Sequence, residues 1–422
     1  MRAKSLKSAN IFGQRILMRV DLNVPVKDGK ILDDFRVQRA LPTIKFLREK
    51  KAKKIILISH LGRPLAEDKN KPEFSLEPVA FYLENLLKQK IYFFRSASPE
   101  LQRGEPALTR RGRPALTRRG KEEIGPELRK KIEDLPDGSI IFLENIRFYK
   151  GEEENDRNFA KELAKMADFF VNEAFAVSHR KIASLCAITE FLPSYIGILF
   201  DEEIANLDRI IQNPQEPLVI ILGGAKIKDK LPVIKKFLDK ADYILLGGAM
   251  ANTVLKINGF SIGKSLYDEA AFDQAKNLGS KKAELILPGD FAVLDKHNQK
   301  QARELGEITE NDKIMDIGPV ARDTFCQIIS KAKTIFWNGP MGKFEDERFA
   351  NGTNKISEAI IENITAFSVI GGGETIASLK IKNQKSKIKD NANIFFSTGG
   401  GATLKYLAGE PLPGLVALET KN

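Results

Sequence analysis

Nearly continuous apolar runs recur along the whole chain and alternate with amphipathic helical patterns, and this alternation constrains the fold more than any other feature. A strand without a polar face is typical of a parallel sheet that helices cover on both sides. Repeated β–α units of this kind predict a doubly wound α/β fold. Two of the helices have readable starts, with Ser75 before LEPVAFYLENLL and Asn155 before DRNFAKELAKMA. The apolar runs are QRILMRVDLNV, KKIILISH, KIYFF, SIIFLEN and DFFVNEAF in the first half, and PLVIILGGA, YILLGGA, TIFWNGP, FSVIGGG and NIFFSTGG in the second.

The length of the chain, 422 residues, exceeds what one hydrophobic core usually supports, so we expect two large domains. A Pro and Gly break followed by a helical pattern, FLPSYIGILFDEEIANLDRII at 191–211, marks the boundary. We therefore predict domains at 1–195 and 196–408 that a hinge helix joins. The tail at 409–422 has two prolines and several apolar residues, which suits a segment lying across another surface.

Composition places the chain among soluble globular proteins, with 42% hydrophobic and 29% charged residues. No run approaches the roughly 18 apolar residues that a membrane span needs. The N-terminus has no apolar block followed by a cleavage site, which argues against secretion. Cys186 and Cys326 are the only cysteines and lie far apart, which indicates core thiols in a reducing compartment. We therefore expect a cytoplasmic protein without a membrane partner.

Much of the net charge of +11 comes from a tandem octad, RGEPALTR at 103–110 and RGRPALTR at 111–118. The segment 103–121 contains seven basic residues and one acidic residue, so the rest of the chain is only modestly basic. We interpret the insertion, about 100–123, as a disordered duplicated loop without function, because Pro, Gly and like charge oppose packing. The alternative is a basic flap that attracts anionic substrates or acidic polymers by salt-sensitive steering. Deleting 103–120 and measuring KM at low and high salt distinguishes the two.

The two halves differ in the residues that follow their apolar runs. In open α/β sheets, ligands lie beyond the carboxyl ends of the strands, so each half is expected to face its own ligand. Arginine pairs with carboxylate or phosphate through two hydrogen bonds, and the first half therefore predicts a site for a small, highly anionic molecule. One such arginine alone more often forms a surface salt bridge, but a shared position at strand ends favours a common site. The polar residues in these positions are Asp21, Asn23, His60, Arg63, Arg147 and Arg180.

In the second half the runs end in glycine: GGAK, GGAM, NGPMG, GGGET and STGGG. Glycine-rich turns at helix starts expose backbone N–H groups and the positive end of the helix dipole, which suits phosphate. The dinucleotide fingerprint is absent, because Ile376 stands where the pattern that begins at Gly371 and Gly373 needs Gly or Ala. A Walker loop is absent as well. A tight turn or close packing remains the alternative for any single turn, and five turns together favour a phosphate site.

Two lysines and one acid follow these turns. Lys226 directly follows a buried strand and two glycines, so it is the cation expected to reach a transferred phosphoryl group. Lys230 shares its face if a helix begins there, although lysines of this kind are usually solvated. Glu374 follows three glycines and could ligate a nucleotide-bound magnesium ion, or it could only stabilise the helix dipole. His60 and His179 suit orienting roles because they lie beside arginine or glycine. No Ser/His/Asp, Cys/His or zinc-like constellation is evident.

At these residues the chain resembles the phosphoglycerate kinase family from end to end, apart from the octads. Several of the matching blocks are specific to that family. They are RVDLNVP at 19–25, SHLGRP at 59–64, LENIRFYKGEE at 143–153, GGAKIKDK at 223–230, FWNGPMGKFE at 336–345, GGGET at 371–375 and STGGGATLKYL at 397–407.

The resemblance implies two Rossmann-like domains with doubly wound parallel sheets and a hinge between them. It implies reversible phosphoryl transfer from 1,3-bisphosphoglycerate to ADP, giving 3-phosphoglycerate and ATP, by direct in-line transfer on domain closure in glycolysis. The residues matching its phosphoglycerate site are Asp21, Asn23, Arg36, His60, Gly62, Arg63, Arg147, His179 and Arg180. Those matching its nucleotide site are Lys226, Lys230, Gly247, Asn338, Glu345, Gly371, Gly372, Gly373, Glu374 and Thr375.

The same resemblance assigns catalytic roles to Arg36, Lys226 and Gly373. The two cations would neutralise charge on the migrating group, while glycine amides hold its oxygens. The carboxylate of 3-phosphoglycerate is already a nucleophile, so no general base is needed. Mg²⁺ would bind with the nucleotide through Glu374, the tail at 409–422 would return to the first domain, and we expect a monomer without a nucleic-acid partner.

Three positions depart from the family pattern. Glu374 and Glu173 stand where aspartate is usual, and Ile182 replaces the second histidine of a paired motif that retains His179. We expect catalysis to survive the extra methylene of Glu374, with magnesium affinity the property in question. Two other function classes stay open: a nucleic-acid-binding protein, suggested by the basic octads, and a catalytically inactive scaffold of this fold. A binder would show steep salt dependence that disappears with the octads, and a scaffold would bind nucleotide without turnover.

Overall fold

The computed structural model describes residues 3–64, 68, 71–95, 124–225, 227–275, 282–381 and 391–419. The octads and Lys226 lie outside these ranges. The chain divides into two compact units, Met1–Glu202 with Leu412–Asn422, and Glu203–Pro411. In the described ranges no helix is both long enough and apolar enough to cross a bilayer.

The first unit is built from β–α repeats. Its elements in chain order are β1 (Arg15–Val20), β2 (Val26–Lys27), β3 (Lys30–Ile31), α1 (Phe35–Glu49), β4 (Lys54–Ile58), α2 (Glu77–Leu87), β5 (Ile91–Phe94), α3 (Pro126–Glu133), β6 (Ser139–Leu143), α4 (Lys150–Glu153), α5 (Arg157–Ala164), β7 (Phe169–Glu173), β8 (Ser194–Ile196) and the start of α6 (Ile198–Ile211).

Six of these strands form a parallel sheet in the order β5-β6-β4-β1-β7-β8, and β2 and β3 form a small hairpin. The central strand β1 pairs on one side with β4 and on the other with β7, so Met18 lies between Leu57 and Val171. All three side chains are fully buried in one apolar core. The adjacent residues Leu17 and Ile56, which point to the opposite face, are fully buried as well. Burial on both faces explains why the strands read as continuous apolar runs.

The second unit repeats the plan. Its elements are the remainder of α6, β9 (Leu218–Leu222), α7 (Leu231–Phe237), β10 (Tyr243–Leu246), α8 (Gly248–Ile257), α9 (Phe272–Ala275), β11 (Glu284–Ile286), β12 (Asp290–Leu294), β13 (Lys300–Glu304), β14 (Lys313–Ile317), α10 (Pro319–Lys331), β15 (Thr334–Asn338), α11 (Asn351–Glu362), β16 (Phe367–Gly371), α12 (Gly373–Ile381), β17 (Ile394–Ser397) and α13 (Gly401–Ala408).

Its parallel sheet has the order β11-β10-β9-β15-β16-β17, and a separate antiparallel sheet has the order β13-β12-β14. Trp337 on β15 is fully buried between β9 and β16. Helix α6 continues across the division between Glu202 and Glu203 and so joins the two units. The prediction of two doubly wound parallel sheets joined by a helix is confirmed.

The chain after Leu412 belongs to the first unit, where it forms α14 (Pro413–Glu419). Gly414 N donates to the Ser178 carbonyl oxygen at 2.9 Å, and Asn172 Nδ2 donates to the Gly414 carbonyl oxygen at 3.5 Å. A Cβ on Gly414 would lie 3.1 Å from Ser178. The absence of a side chain therefore lets this backbone lie against the loop that follows β7.

Both expected helix starts are displaced by one residue. The carboxylate of Asp156, rather than the Asn155 side chain, accepts the N-terminal hydrogen bond of α5, from Phe159 N at 2.7 Å. Ser75 Oγ accepts from Glu77 N at 3.2 Å, while Leu76 is the cap position of α2. Of the cysteines, Cys186 is buried as expected, but Cys326 is only partly buried, and both are free thiols.

Candidate active site

Four neighbouring strands of the first sheet, β6, β4, β1 and β7, are parallel, so their carboxyl ends lie at one edge. The residues matched to a phosphoglycerate site follow these strands or lie on the first turn of α1. Asp21 and Asn23 follow β1, His60, Gly62 and Arg63 follow β4, Arg147 follows β6, His179 and Arg180 follow β7, and Arg36 lies on α1.

Hydrogen bonds join three of these loops. Arg36 Nη1 donates to Asp21 Oδ2 at 2.7 Å and to the Asn23 carbonyl oxygen at 3.3 Å. Asn23 Oδ1 accepts from Gly62 N at 2.9 Å. Gly62 adopts a left-handed φ of 63°, and its carbonyl oxygen accepts from Arg147 Nη1. The loops after β1, β4 and β6 therefore form one connected edge that carries two of the arginines.

A carboxylate links Arg147 to Arg180. Glu153 Oε1 lies 3.0 Å from Arg147 Nε and 3.1 Å from Arg180 Nη1. Burial and the nearby Arg180 charge lower the pKa of Arg147 to about 10. Part of this lowering is repulsion between the Arg147 and Arg180 charges, and an anion bound between them would be stabilised.

Burial and the charges of Arg19, Arg147, Arg36 and Arg180 hold the pKa of His60 well below its usual range. The imidazole is therefore neutral at neutral pH. Two other predicted residues lie on the loops after β4 and β7. Arg63, next to Gly62, is exposed, and His179, next to Arg180, is half-buried. Ile182, the departure from the paired-histidine motif, is buried with Leu185 and Cys186 in a small apolar cluster.

In the second unit the glycine turns fall into two groups. In the first group, the glycine backbone packs directly against the backbone of another loop. A Cβ on Gly223 would lie 2.1 Å from the Pro340 carbonyl oxygen, and a Cβ on Gly339 would lie 2.3 Å from the Gly223 carbonyl oxygen. A Cβ on Gly248 would lie 2.7 Å from Gly224 N. These glycines let the loops after β9, β10 and β15 contact one another closely. Close packing is the alternative to a phosphate site for glycine turns of this kind.

The second group has free space. A Cβ on Gly373, Gly400 or Gly401 would meet no atom within 4 Å in the described part of the chain. Gly373 and Gly401 are the first residues of α12 and α13, so the unbonded N–H groups of those first turns lie beside open space. Phosphate binding at these helix starts needs such space, and it stays a prediction.

Polar side chains converge beside the first group. Lys230 is buried and donates through Nζ to the Gly223 carbonyl oxygen. The position of a Cβ on Gly224 lies 3.2 Å from Lys230 Nζ and 3.8 Å from Glu374 Oε2. Helix α7 begins at Leu231, so the condition under which Lys226 and Lys230 would share a helix face is not met. Lys226 itself lies outside the described residues.

The remaining predicted nucleotide residues lie at the ends of β10, β15 and β16 or in the segments that follow these strands. Asn338 Nδ2 would lie 3.0 Å from a Cβ on Gly372, whose φ is 96°. Thr375 Oγ1 accepts from Gly339 N at 2.7 Å. Gly371 lies at the end of β16, and Glu345 is exposed on the loop after β15. Gly247 precedes α8 and packs against Met341.

Sequence reasoning missed a buried polar layer beneath the first edge. Arg19 on β1 and Glu152 on α4 are both fully buried, with Ser184 hydrogen-bonded to each. Asn145, also fully buried, donates through Nδ2 to the carbonyl oxygens of Leu61 at 2.8 Å and Phe74 at 3.0 Å. The available signal was a charged residue inside an apolar strand, the arginine of ILMRV.

One parallel sheet with a cationic edge and a second whose glycine turns open at helix starts define an α/β phosphotransferase. A family model described as phosphoglycerate kinase matches residues 6–410. The chain belongs to the phosphoglycerate kinase family. This family indicates phosphoglycerate kinase function in glycolysis, with a carboxyl group as phosphoryl acceptor and a nucleotide substrate.

Proteins and solved structures of the same family are similar over almost the whole chain. The phosphoglycerate kinase of Dictyoglomus turgidum is 40% identical over 423 residues, which is 99% of this chain and 98% of that protein. That of Thermosipho africanus is 41% identical over 432 residues, covering 100% and 99%. The structure of the Coxiella burnetii phosphoglycerate kinase has a TM-score of 0.78 at 35% identity and covers 99% of both chains. The Pyrococcus horikoshii OT3 structure has a TM-score of 0.79 at 32% identity and covers 99% of this chain and 98% of that one.

Proposed function

We propose that the first unit binds 3-phosphoglycerate or 1,3-bisphosphoglycerate, that the second unit binds ADP or ATP, and that the phosphoryl group passes directly and in line between them when the units close. The observation that carries this assignment is the contrast between the two sheet edges. Guanidinium groups surround His60 at the first edge, whereas glycine turns open at two helix starts at the second.

Arg36, Arg147 and Arg180 would bind the carboxylate and phosphate of the phosphoglycerate, with Asp21 orienting Arg36 through the 2.7 Å hydrogen bond. The substrate carboxylate is already an anion, so the protein has to position it and to stabilise the charge that develops. Arg36 and Lys226 would supply that charge stabilisation, with the Gly373 amide contributing a hydrogen bond.

Glu374 would hold Mg²⁺ together with the nucleotide phosphates. Its carboxylate is exposed on the first turn of α12 near Lys230, and one carboxylate plus phosphates is a usual magnesium ligand set. Among the described residues no group of three His, Cys, Asp or Glu side chains could hold a metal by itself, which fits an ion that arrives with the nucleotide. When bound, the ion neutralises phosphate charge.

The protein would act as a cytoplasmic monomer. Its two cysteines are free thiols, as expected in a reducing compartment. The segment 409–422 would belong functionally to the phosphoglycerate domain, in line with the hydrogen bonds of Gly414.

The test combines turnover with a footprint on the whole protein. We expect ADP formation only when ATP, magnesium and 3-phosphoglycerate are all present. In hydrogen exchange, 3-phosphoglycerate should protect amides around Asn23, Gly62 and Arg147, and Mg-ATP should protect those at 371–375 and 399–402. Protection of one unit by both ligands would contradict the assignment of separate sites. Nucleotide protection without turnover would instead indicate an inactive scaffold.

A further inference from the structure

The fully buried guanidinium of Arg19 uses all three of its nitrogens. Nε donates to Ser184 Oγ at 3.0 Å, Nη1 donates to the Val20 carbonyl oxygen at 2.8 Å, and Nη2 lies 3.3 Å from His60 Nδ1. A buried charge is costly unless it is hydrogen-bonded and balanced. The fully buried carboxylate of Glu152 supplies the balance, because Ser184 connects it to Arg19 through an Oγ hydrogen bond of 2.6 Å.

The contact with His60 defines the protonation of the ring. A guanidinium group has only N–H donors, so Nδ1 of His60 must accept the hydrogen bond with its lone pair. In a neutral imidazole whose Nδ1 is an acceptor, the proton lies on Nε2. Asp21 Oδ1 is 4.0 Å from the same Nδ1, too far to accept a hydrogen bond from it.

The charged groups around the ring also favour the neutral form. Arg19 faces it from β1, Arg36 from α1, Arg147 from the loop after β6 and Arg180 from the loop after β7, while Asp21 is the nearby carboxylate. Protonating His60 would add a fifth positive charge to these four in a buried position. A neutral ring that keeps one N–H is therefore the form in which His60 can donate a hydrogen bond here.

We propose that Arg19 is a positioning residue that fixes His60 as the Nε2–H tautomer, so that the ring donates a hydrogen bond to an oxygen of the anionic phosphoglycerate. With the opposite tautomer, the Nε2 lone pair would face the anion and weaken binding. The proposal rests on the proposed function for the role of His60 toward substrate, but the tautomer itself is a property of the free protein.

The first experiment uses the unmodified, ligand-free protein. The chain has three histidines, so ¹⁵N-histidine labelling gives few ring signals, and the variant His60→Gln assigns the one of interest. We expect the ¹⁵N shifts of His60 to indicate protonated Nε2 and unprotonated Nδ1 from pH 8 down through the ordinary range of histidine titration, roughly pH 6.5. A proton on Nδ1, or a cationic ring at neutral pH, would overturn the proposal.

The second experiment removes the donor without leaving a buried charge unpaired. The double variant Arg19→Met/Glu152→Gln should populate both His60 tautomers and raise KM for 3-phosphoglycerate about tenfold, which corresponds to about 1.4 kcal/mol. KM for ATP should be unchanged. The matched control Glu152→Gln keeps the contact between Nη2 and Nδ1 and should keep the single tautomer. The conservative variant Arg19→Lys retains a donor and a charge and should retain part of the affinity.

If the double variant folds with the His60 tautomer and both KM values unaltered, Arg19 is only structural and the proposal fails. If the double variant does not fold, the His60 tautomer measured in the unmodified protein still decides whether the proposal holds. Failure of the proposed function has a different signature, because turnover would then be absent while His60 in the free protein still carried its proton on Nε2.

Discussion

The carboxylate of Glu173 fills the space that a side chain on Gly197 would occupy, since a Cβ at position 197 would lie 1.6 Å from Glu173 Oε2. Glu173 is fully buried at the end of β7, where Oε1 accepts hydrogen bonds from the Thr43 hydroxyl and from Leu199 N at the start of α6. The helix that joins the two units therefore begins on a buried acid that requires a glycine beside it.

We expect Gly197→Ala to destabilise the protein by about 3 kcal/mol, because the added methyl group collides with a side chain that cannot move without losing its hydrogen bonds. Urea unfolding measures the loss. Gly289→Ala is the matched control, since a Cβ at 289 meets no atom of the described residues within 4 Å. Shortening the acid in Glu173→Asp/Gly197→Ala should recover part of the stability, and equal losses in the single and double variants would contradict the collision.

Burial raises the pKa of Glu173 to about 7. An acid with a higher pKa in the folded state binds more protons when folded, so stability falls as pH rises between about 4.5 and 7. The variant Glu173→Gln should remove this part of the slope and raise the free energy of unfolding at pH 8 by about 3 kcal/mol, because one pKa unit corresponds to about 1.4 kcal/mol.

The measurement for Glu173 is urea unfolding at several pH values between 5 and 8. Asp316 in the second unit also has its pKa raised by burial, to about 7, so a smaller slope should remain in Glu173→Gln. The exposed neighbour variant Glu202→Gln should keep most of the slope, because the Glu202 charge is only a small contribution to the raised pKa of Glu173. If Glu173→Gln has the same slope as the unmodified protein, Glu173 is not the titrating group.

The apolar runs predicted ten strands correctly, and eight of those strands are buried along almost their whole length, which produces a signal in the sequence itself. The edge strands β5 and β17 are only partly buried but are also apolar. Other strands carry little such signal. The pattern of β13 (KQARE) alternates between exposed and partly buried residues, and β8 has three residues beside a Pro and Gly break. The sequence also does not predict which residue caps α5. Asn155 and Asp156 are both good N-cap residues, and only the backbone geometry selects Asp156.

The candidate active site likewise has one part that the sequence predicts and another part that it does not. Strand ends and charge placed the arginines at one edge, since parallel strands end together. Whether a glycine packs or stays open depends on its neighbours in space, so Gly223 and Gly373 look alike in sequence and differ in the structure. Arg19 was missed because its importance comes from contacts with Ser184 and His60, which are far away in the chain.

Arg36→Ala should lower turnover on the order of 10²-fold or more, by analogy with removal of one preorganised donor at a reacting group. The steady-state assay with ATP and 3-phosphoglycerate measures the change. Arg129→Ala removes a comparable arginine that pairs with Glu162 at 2.6 Å, and it should leave turnover unchanged. Near-normal turnover of Arg36→Ala would exclude Arg36 from the reaction.

The proposed magnesium ligand gives a different signature. Glu374→Gln removes the carboxylate charge, so we expect a higher magnesium concentration for half-maximal activity and an unchanged KM for 3-phosphoglycerate. Glu374→Asp keeps the charge and should stay close to the unmodified protein in turnover. The exposed carboxylate of Glu347 provides the control Glu347→Gln. An unaltered magnesium dependence in Glu374→Gln would show that Glu374 serves only the helix dipole.

The two groups of glycines predict opposite effects of the same substitution. Gly223→Ala places a methyl group 2.1 Å from the Pro340 carbonyl oxygen, so we expect a loss of stability of about 3 kcal/mol with nucleotide affinity falling as the loop shifts. Gly373→Ala adds a methyl group at the first residue of α12, where no atom of the described chain lies within 4 Å, so stability should be unchanged or slightly higher. If that space receives a phosphate, KM for ATP should nevertheless rise or turnover should fall, while KM for 3-phosphoglycerate stays the same. Thermal unfolding without ligand and steady-state kinetics separate the two effects, and a fully active Gly373→Ala variant would mean that the open space at this helix start is not where the nucleotide binds.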